Sequence, residues 1–218
     1  MTDHRIMIVD DHPVVREGYR RLIDLQPGLQ IVAEAEDARS AYARFREAKP
    51  DAVVMDVTLP GASGIEAIRH IRQYDDAAKI VVFTMHQGSA FALKAIEAGA
   101  AGYVTKSSAP DTLIKAIFGV LKGRTMISPD VIEAIAQDRI AGSGTRLRDL
   151  STRQTEILRL LASGWPVERI AEALSISLKT VRNNHYHIKS VLGLETDAQM
   201  VWFAMEAGLV QGPRDDEV

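Results

Sequence analysis

The chain has 218 residues, of which 46% are hydrophobic and 25% are charged, and its formal net charge is −3. This composition is typical of a globular protein of one or two domains, and the net charge gives no indication of nucleic-acid binding. The absence of cysteine excludes disulfides, a thiolate nucleophile and a cysteine-bound metal. No apolar run approaches the length of a membrane span and no signal segment opens the chain, so we expect a cytoplasmic protein with no membrane partner.

Residues 1–122 alternate between short apolar runs and amphipathic segments. The apolar runs predict five strands, at 6–9, 30–35, 52–55, 80–83 and 102–105. The segments between and after them predict five helices, the first starting near Pro13 and the others at 38–49, 64–74, 89–98 and 111–122. Five such units predict an α/β fold, with a doubly wound five-stranded parallel sheet of the flavodoxin type.

The rest of the chain has a different character. Residues 123–146 form a predicted linker with a possible short helix at 130–139, and small residues at 141–145 mark the domain boundary. Residues 147–211 predict an all-α domain, because a capping-box pattern at 151–154 opens a series of helical segments. Residues 212–218 are predicted to be a disordered tail.

Polar side chains follow the apolar runs where the predicted strands end. Asp10 and Asp11 end the first strand, Asp56 the third, Thr84 the fourth and Lys106 the fifth. Any one aspartate could be a helix cap or a turn residue, but five such residues at one edge of a parallel sheet favour a site. Clustered carboxylates repel one another, and Mg²⁺ would neutralise them and also suits phosphoryl chemistry.

At this point residues 5–122 resemble the receiver domains of two-component response regulators. The matching segments are 9–13 (VDDHP), 55–61 (MDVTLPG) with Gly64, 83–84 (FT) and 99–106 (GAAGYVTK). The resemblance implies that Asp56 accepts a phosphoryl group from a sensor histidine kinase, and that the protein is not an enzyme beyond slow self-dephosphorylation. It implies that Asp10, Asp11 and Asp56 bind Mg²⁺ with the backbone carbonyl of Thr58.

The same resemblance assigns further roles. Thr84 and Lys106 would contact the phosphoryl oxygens, and the rotamer of Tyr103 would report phosphorylation. Two residues depart from the receiver pattern. Met85 is bulky where many receivers have a small residue, which predicts slow loss of the phosphoryl group. Ser107 stands where many receivers have a cis proline.

The second predicted feature is a helix, a tight turn and a longer helix within residues 167–192. Leu178, Val181, Ile188 and Leu192 recur at a spacing that predicts the inward face of the longer helix. The opposite face carries donors for DNA, and we expect Arg182 and Asn183 to read base edges. We expect Lys179, Thr180 and Lys189 to contact phosphates, and Tyr186 lies on the same DNA-binding face.

Residues 150–210 resemble the LuxR-type helix-turn-helix domain, through the segments 150–158 (LSTRQTEIL), 162–164 (ASG), 169–177 (RIAEALSIS) and 179–182 (KTVR). The whole chain therefore resembles the NarL/FixJ-type response regulators. Gln154, Asn184, Val191 and Asp197 depart from the family's common residues. With eight basic and seven acidic residues at 146–209, the domain has a net charge of only +1, so we expect DNA binding to depend on dimerisation.

These features predict a regulator that binds double-stranded promoter DNA as a homodimer. Phosphorylation of Asp56 would either promote receiver self-association or release the reading helix from the receiver. One alternative is an aspartyl-phosphate hydrolase of the haloacid dehalogenase type, but the position two residues after the nucleophile is Thr58 rather than aspartate. A second alternative is a module that binds a protein, or binds DNA without phosphate control.

Overall fold

A computed structural model describes residues 3–141, 147 and 149–210. The predictions for the 142–146 stretch and for the 212–218 tail lie outside these residues. The described residues form two compact units: one contains the residues up to 87 together with 92–132, and the other contains 88–91 together with the residues from 133 onward. Among the helices that the structure describes, none has both the length and the apolar character that a membrane span requires.

The first unit is an α/β domain with one parallel sheet. Its strands are β1 His4–Val9, β2 Leu29–Ala35, β3 Ala52–Met55, β4 Ile80–Thr84, β5 Gly102–Thr105 and β6 Met126–Ile127. Its helices are α1 Pro13–Asp24, α2 Ala38–Ala48, α3 Gly64–Tyr74, α4 Ser89–Glu97 and α5 Pro110–Leu121. The strand order is β2-β1-β3-β4-β5-β6, so β2 lies on one side of β1 and the later strands follow on the other side. This order is the predicted doubly wound topology.

The sheet has six strands, so the predicted number of five is corrected. Met126 and Ile127 pair in parallel with Gly102 and Tyr103 at the β5 edge, inside the segment predicted to be a linker. A strand of two residues is too short to show any periodicity, and only its pairing with β5 identifies it.

Apolar residues on both faces of the strands hold this unit together, as the continuous apolar runs predict. Ile6, Ile8 and Val54 of the inner strands are at most 2% exposed, and they share one core cluster with Leu113 and Ile117 of α5. A parallel sheet buried in this way presents polar side chains only where its strands end, which is where the site lies.

The remaining elements are helical: α6 Pro129–Ala141, α7 Thr152–Ala162, α8 Val167–Ala173, α9 Leu178–Leu192 and α10 Asp197–Glu206. The predicted capping box of α7 is confirmed, because Ser151 and Gln154 exchange hydrogen bonds. Ser177 caps α9, and Gly193 ends it with a left-handed backbone.

One prediction for the inward face of α9 is wrong. Val181, Ile188 and Leu192 are buried, but Leu178 is 42% exposed. Leu178 is the first residue of the helix, so helical periodicity does not by itself determine whether its side chain is buried.

Candidate functional site

The ends of β1 and β3 bring two carboxylates together. Val9 pairs with Met55 in the parallel register, and the amide of Asp56 donates to the carbonyl of Val9 over 2.9 Å. Asp10 and Asp56 therefore follow the two strands side by side, and both are 4% exposed. The sheet register, rather than the loops, sets this placement.

Lys106 joins the two carboxylates. It follows β5, and its Nζ lies 2.6 Å from Asp10 Oδ2 and 2.5 Å from Asp56 Oδ2. Burial alone lowers the pKa of Lys106, but the charge of Asp56 and the hydrogen bonds to both aspartates outweigh it and raise that pKa above its ordinary value. The cation is thus held in its charged form beside the acidic groups.

Asp11 is the third carboxylate of the pocket, and its surroundings fit a cation. Its Oδ1 atom is buried and forms no hydrogen bond. His12 Nδ1 lies 2.8 Å from this oxygen, but the angles do not permit a hydrogen bond between them. Burial raises the pKa of Asp11 above its ordinary value, with the charges of Asp56 and Asp10 adding to the effect and His12 opposing it. An unsatisfied carboxylate oxygen next to two other carboxylates is a donor set suited to Mg²⁺.

A chain of hydrogen bonds links the pocket to the loop after β4. The amide of Thr58 donates to Asp56 Oδ1 over 3.1 Å, and Thr58 Oγ1 lies 2.8 Å from His86 Nε2. The amide of His86 is 3.5 Å from Thr84 Oγ1, and Tyr103 donates its hydroxyl to the carbonyl of His86 over 2.9 Å. Tyr103 is buried in this structure, so the predicted switch residue and the predicted phosphoryl ligand Thr84 share a neighbour in His86.

The backbone of Asp56 is packed against the start of α3. A Cβ added to Gly64 would lie 1.8 Å from the carbonyl oxygen of Asp56, and the Gly64 amide donates to Val57 over 2.9 Å. Only glycine, which has no Cβ, permits this close approach, so the packing beside the pocket requires glycine at position 64.

The α9 helix presents the predicted DNA-reading face. Lys179, Arg182, Asn183 and Tyr186 are all exposed, and Tyr186 is 70% exposed. Thr180 is exposed as well, but it also belongs to the helix start: its amide donates a hydrogen bond to Oγ of the capping residue Ser177 over 3.0 Å. These side chains provide the donors that base edges and phosphates accept.

Lys189 differs from the other residues of that face. Its Nζ donates to Asp197 Oδ1 over 2.9 Å, and His185 Nε2 lies 2.8 Å from the same oxygen. The hydrogen bond from Lys189 is the main reason that the pKa of Asp197 falls below its ordinary value, burial opposes this, and His185 adds to the lowering. Lys189, which is predicted to contact a DNA phosphate, thus already forms an ion pair within the protein.

Comparison with known proteins identifies both units. Residues 6–118 match the response regulator receiver domain, and residues 148–204 match the bacterial regulatory proteins of the luxR family. The response regulator UvrY of Escherichia coli strain K12 is 34% identical over 206 residues, which cover 94% of each chain. The chain belongs to the NarL/FixJ-type response regulators.

Solved structures of response regulators resemble this one. A LuxR-family response regulator from Aurantimonas sp. SI85-9A1 is 64% identical, with a TM-score of 0.62, and the match covers 64% of this chain and 99% of that one. RcsB from Salmonella enterica serovar Typhimurium, bound to promoter rprA with the phosphomimetic BeF3-, is 27% identical over 93% of this chain and 98% of that one, with a TM-score of 0.64. A structure of two RcsB dimers bound to two parallel DNAs is 26% identical over 94% of this chain and 99% of that one, with a TM-score of 0.59.

Sequence reasoning on this response regulator found the strand-end residues but missed their neighbours. His86 connects the predicted site residues Thr58, Thr84 and Tyr103. Asp197 pairs with the predicted site residue Lys189, and Arg16 donates to the carbonyl of Asp10 over 2.5 Å. For His86, the signal available in the sequence is its position two residues after Thr84. For Arg16, the first helical turn after Asp10 is the only such signal.

Proposed function

We propose that this response regulator accepts a phosphoryl group on Asp56 from a sensor histidine kinase, and that it then binds promoter DNA sequence-specifically as a homodimer. The observation that carries the proposal is the buried Asp10–Lys106–Asp56 cluster in one chain with an exposed, donor-rich α9. The first provides a phosphorylation site, and the second provides a surface that can read DNA.

In the proposed reaction, a carboxylate oxygen of Asp56 attacks the phosphorus of a phosphohistidine. The new P–O bond forms as the P–N bond breaks, and the histidine nitrogen of the kinase leaves with the electron pair. Lys106 already lies at Asp56 Oδ2, where its charge can stabilise oxygens of the transferred group. The Thr58 amide at Oδ1 orients the other side of the carboxylate.

We propose that Asp10, Asp11, Asp56 and the carbonyl of Thr58 hold Mg²⁺. When bound, the ion supplies positive charge that neutralises the three carboxylates and the incoming phosphoryl oxygens. The orphaned oxygen of Asp11 supports this assignment, because it is buried without a hydrogen bond.

The proposed switch uses the link through His86. A phosphoryl group on Asp56 would attract the Thr84 hydroxyl, which now lies at the His86 amide. Movement of this loop would disturb the carbonyl that accepts the hydrogen bond of Tyr103, and would change the surface formed by β5. The RcsB complex with a phosphomimetic supports a role for the phosphorylated state in DNA binding.

Homodimerisation is part of the proposal because one helical unit carries little net charge. DNA affinity rises steeply with the number of phosphates neutralised, and two units double that number. The structure of RcsB dimers on DNA supports this arrangement for a relative of 26% identity.

We also propose that Asp56 is an acceptor rather than part of a turnover enzyme. A hydrolase would need a general acid two residues after the nucleophile, and Thr58 at that position has its hydroxyl bonded to His86. Sustained hydrolysis of phosphate esters by the wild-type protein would contradict this assignment.

The test is selection of genomic DNA fragments by wild type and by Asp56→Asn, each with and without acetyl phosphate and Mg²⁺. We expect enrichment of a shared sequence by wild type, strongest when acetyl phosphate and Mg²⁺ are both present, and no response to acetyl phosphate in the variant. Equal binding without sequence preference in every arm would refute the proposed function.

A further inference from the structure

The carboxylate of Asp197 is within hydrogen-bond distance of two donor side chains of α9. Lys189 Nζ and His185 Nε2 approach the same oxygen, Asp197 Oδ1, over 2.9 Å and 2.8 Å. His185 and Lys189 are four residues apart, so they lie on the same side of the helix one turn from each other. Asp197 is the first residue of α10, so this carboxylate crosses from one helix to the next.

Lys189 belongs to the surface proposed to meet DNA. It follows Arg182 by seven residues, which in an α-helix places both side chains along one line. It also follows Tyr186 by three residues, and its Nζ lies 6.0 Å from the centre of that exposed ring. The ion pair with Asp197 is therefore made by a residue of the DNA-reading face, not by a distant surface lysine.

We infer that Asp197 acts as an internal competitor of DNA, occupying Lys189 and His185 and so lowering the affinity of each helical unit for phosphates. This inference rests on the proposed DNA binding and adds an affinity-determining residue to it.

Two physical routes lead to the same effect. If Lys189 leaves Asp197 to reach a phosphate, the ion pair is lost. If Lys189 keeps the pair and contacts a phosphate with another of its three N–H groups, the carboxylate and the phosphate lie close together and repel. In both cases, Lys189 contributes less to DNA affinity than a lysine that neutralises one phosphate and releases its counterion.

The chain offers a matched control in Glu195. This acidic residue is exposed and lies two positions before Asp197, and within the described part of the chain its carboxylate forms no ion pair. Glu195→Gln therefore removes the same unit of charge from the same region without releasing Lys189. Thr196 and Gln199 cap α10 independently of the Asp197 side chain, so Asp197→Asn should leave the helix start intact.

The experiment measures binding of the full-length protein to two short duplexes over a salt series. One duplex carries a fragment recovered by wild-type selection, and the other has the same composition in scrambled order. We expect Asp197→Asn to bind both duplexes several-fold more tightly at low salt, with a log–log salt slope steeper by up to about 0.9 per bound unit. Glu195→Gln should produce a smaller change in both quantities.

A double-mutant cycle with Lys189→Met tests whether Asp197 acts on DNA binding through Lys189. The gain from Asp197→Asn should be largely lost when Lys189 is already methionine, because no ammonium remains to be released. Thermal unfolding of each variant checks that the helical unit is folded. An equal gain in the Lys189→Met background would show that Asp197 acts through its charge alone, and would overturn the inference.

The outcomes separate this inference from the proposed function. Wild type that binds DNA, with Asp197→Asn no tighter, overturns the inference and leaves the proposed function standing. Failure of wild type and Asp197→Asn to bind either duplex overturns both.

Discussion

Asp11 and its two neighbouring carboxylates have different surroundings within one pocket. Asp10 and Asp56 each receive a hydrogen bond from Lys106, whereas Asp11 Oδ1 is buried without one. The ionised form of Asp11 is therefore disfavoured, and its pKa is raised from an ordinary value of 3.8. For an acid with a raised pKa, the folded state loses stability as the pH rises from the ordinary value through the raised one.

Asp11→Asn should consequently make the metal-free protein more stable at neutral pH. The gain in the free energy of unfolding should shrink as the pH falls and should vanish below 3.8, where Asp11 becomes protonated in both states. Affinity for Mg²⁺ should fall by at least roughly tenfold, because a direct ligand is lost. Urea unfolding in a chelator across pH, and calorimetric titration with MgCl₂, measure the two effects. Asp76→Asn, at an exposed turn, is the control, and a variant less stable than wild type would contradict the argument.

Met85 is a second residue whose effect can be measured directly. It follows the buried Thr84 and is 69% exposed, so it lies at the surface rather than in the core. We expect Met85→Ala to lose its phosphoryl group several-fold faster, because water gains access to Asp56. Decay of phosphorylated protein on a mobility-shift gel measures the rate, and Met85→Leu, which keeps the bulk, should resemble wild type. An unchanged rate in Met85→Ala would reject the idea.

At the level of elements, the acceptor loop between β3 and α3 depends on one close backbone contact. Gly64 begins α3 directly against the carbonyl of Asp56, and Ser63 and Glu66 form a capping box around that start. The helix start and the acceptor residue therefore cannot move independently.

Gly64→Ala tests this contact, because a methyl group there must push the Asp56 backbone away. We expect a loss of about 1–3 kcal/mol in the free energy of unfolding, together with slower phosphorylation by acetyl phosphate. Gly18→Ala is the matched control: it lies in α1 with no atom within 4 Å of the added Cβ, and should stabilise the protein by about 0.5–1 kcal/mol. Urea unfolding of both variants gives the comparison. Equal stability of the two would show that the contact is not restrictive.

The start of α6 and the residue before it are hydrogen-bonded to β5. The amide of Ser128 donates to the carbonyl of Tyr103 over 2.9 Å, and Thr105 donates its hydroxyl to Asp130 Oδ2 over 2.7 Å. The segment predicted to be a linker with a short helix is thus hydrogen-bonded at two positions to β5, the strand that carries Tyr103. Any change in β5 reaches the first turn of α6 directly.

At the scale of the whole molecule, we expect phosphorylation and DNA binding to be coupled through self-association, because a single helical unit has a net charge of only about +1. Acetyl phosphate with Mg²⁺ should shift wild type from monomer towards dimer in sedimentation velocity, and leave Asp56→Asn unchanged. Binding to the selected duplex should become cooperative in protein concentration only for wild type. A phosphorylated protein that binds DNA as a monomer with unchanged affinity would contradict this coupling.

Much of this architecture could be predicted from local sequence. Apolar runs specify the first five strands, because buried parallel strands need continuous apolar residues, and capping residues such as Ser151 and Ser177 specify where helices begin. The strand-end positions of Asp10, Asp56 and Lys106 predict the pocket for the same reason: parallel strands end at one edge. The family membership follows from these motifs and is confirmed by the comparisons.

Tertiary structure decided what no local pattern encodes. The β6 strand exists only because two residues pair with β5, and Leu178 is 42% exposed although its spacing places it on the inward face of α9. The bonds from His86 to Thr58 and from Asp197 to Lys189 join residues 28 and 8 positions apart, across separate elements. Periodicity and spacing describe one element at a time, whereas such contacts depend on how two elements pack, which only the folded chain defines.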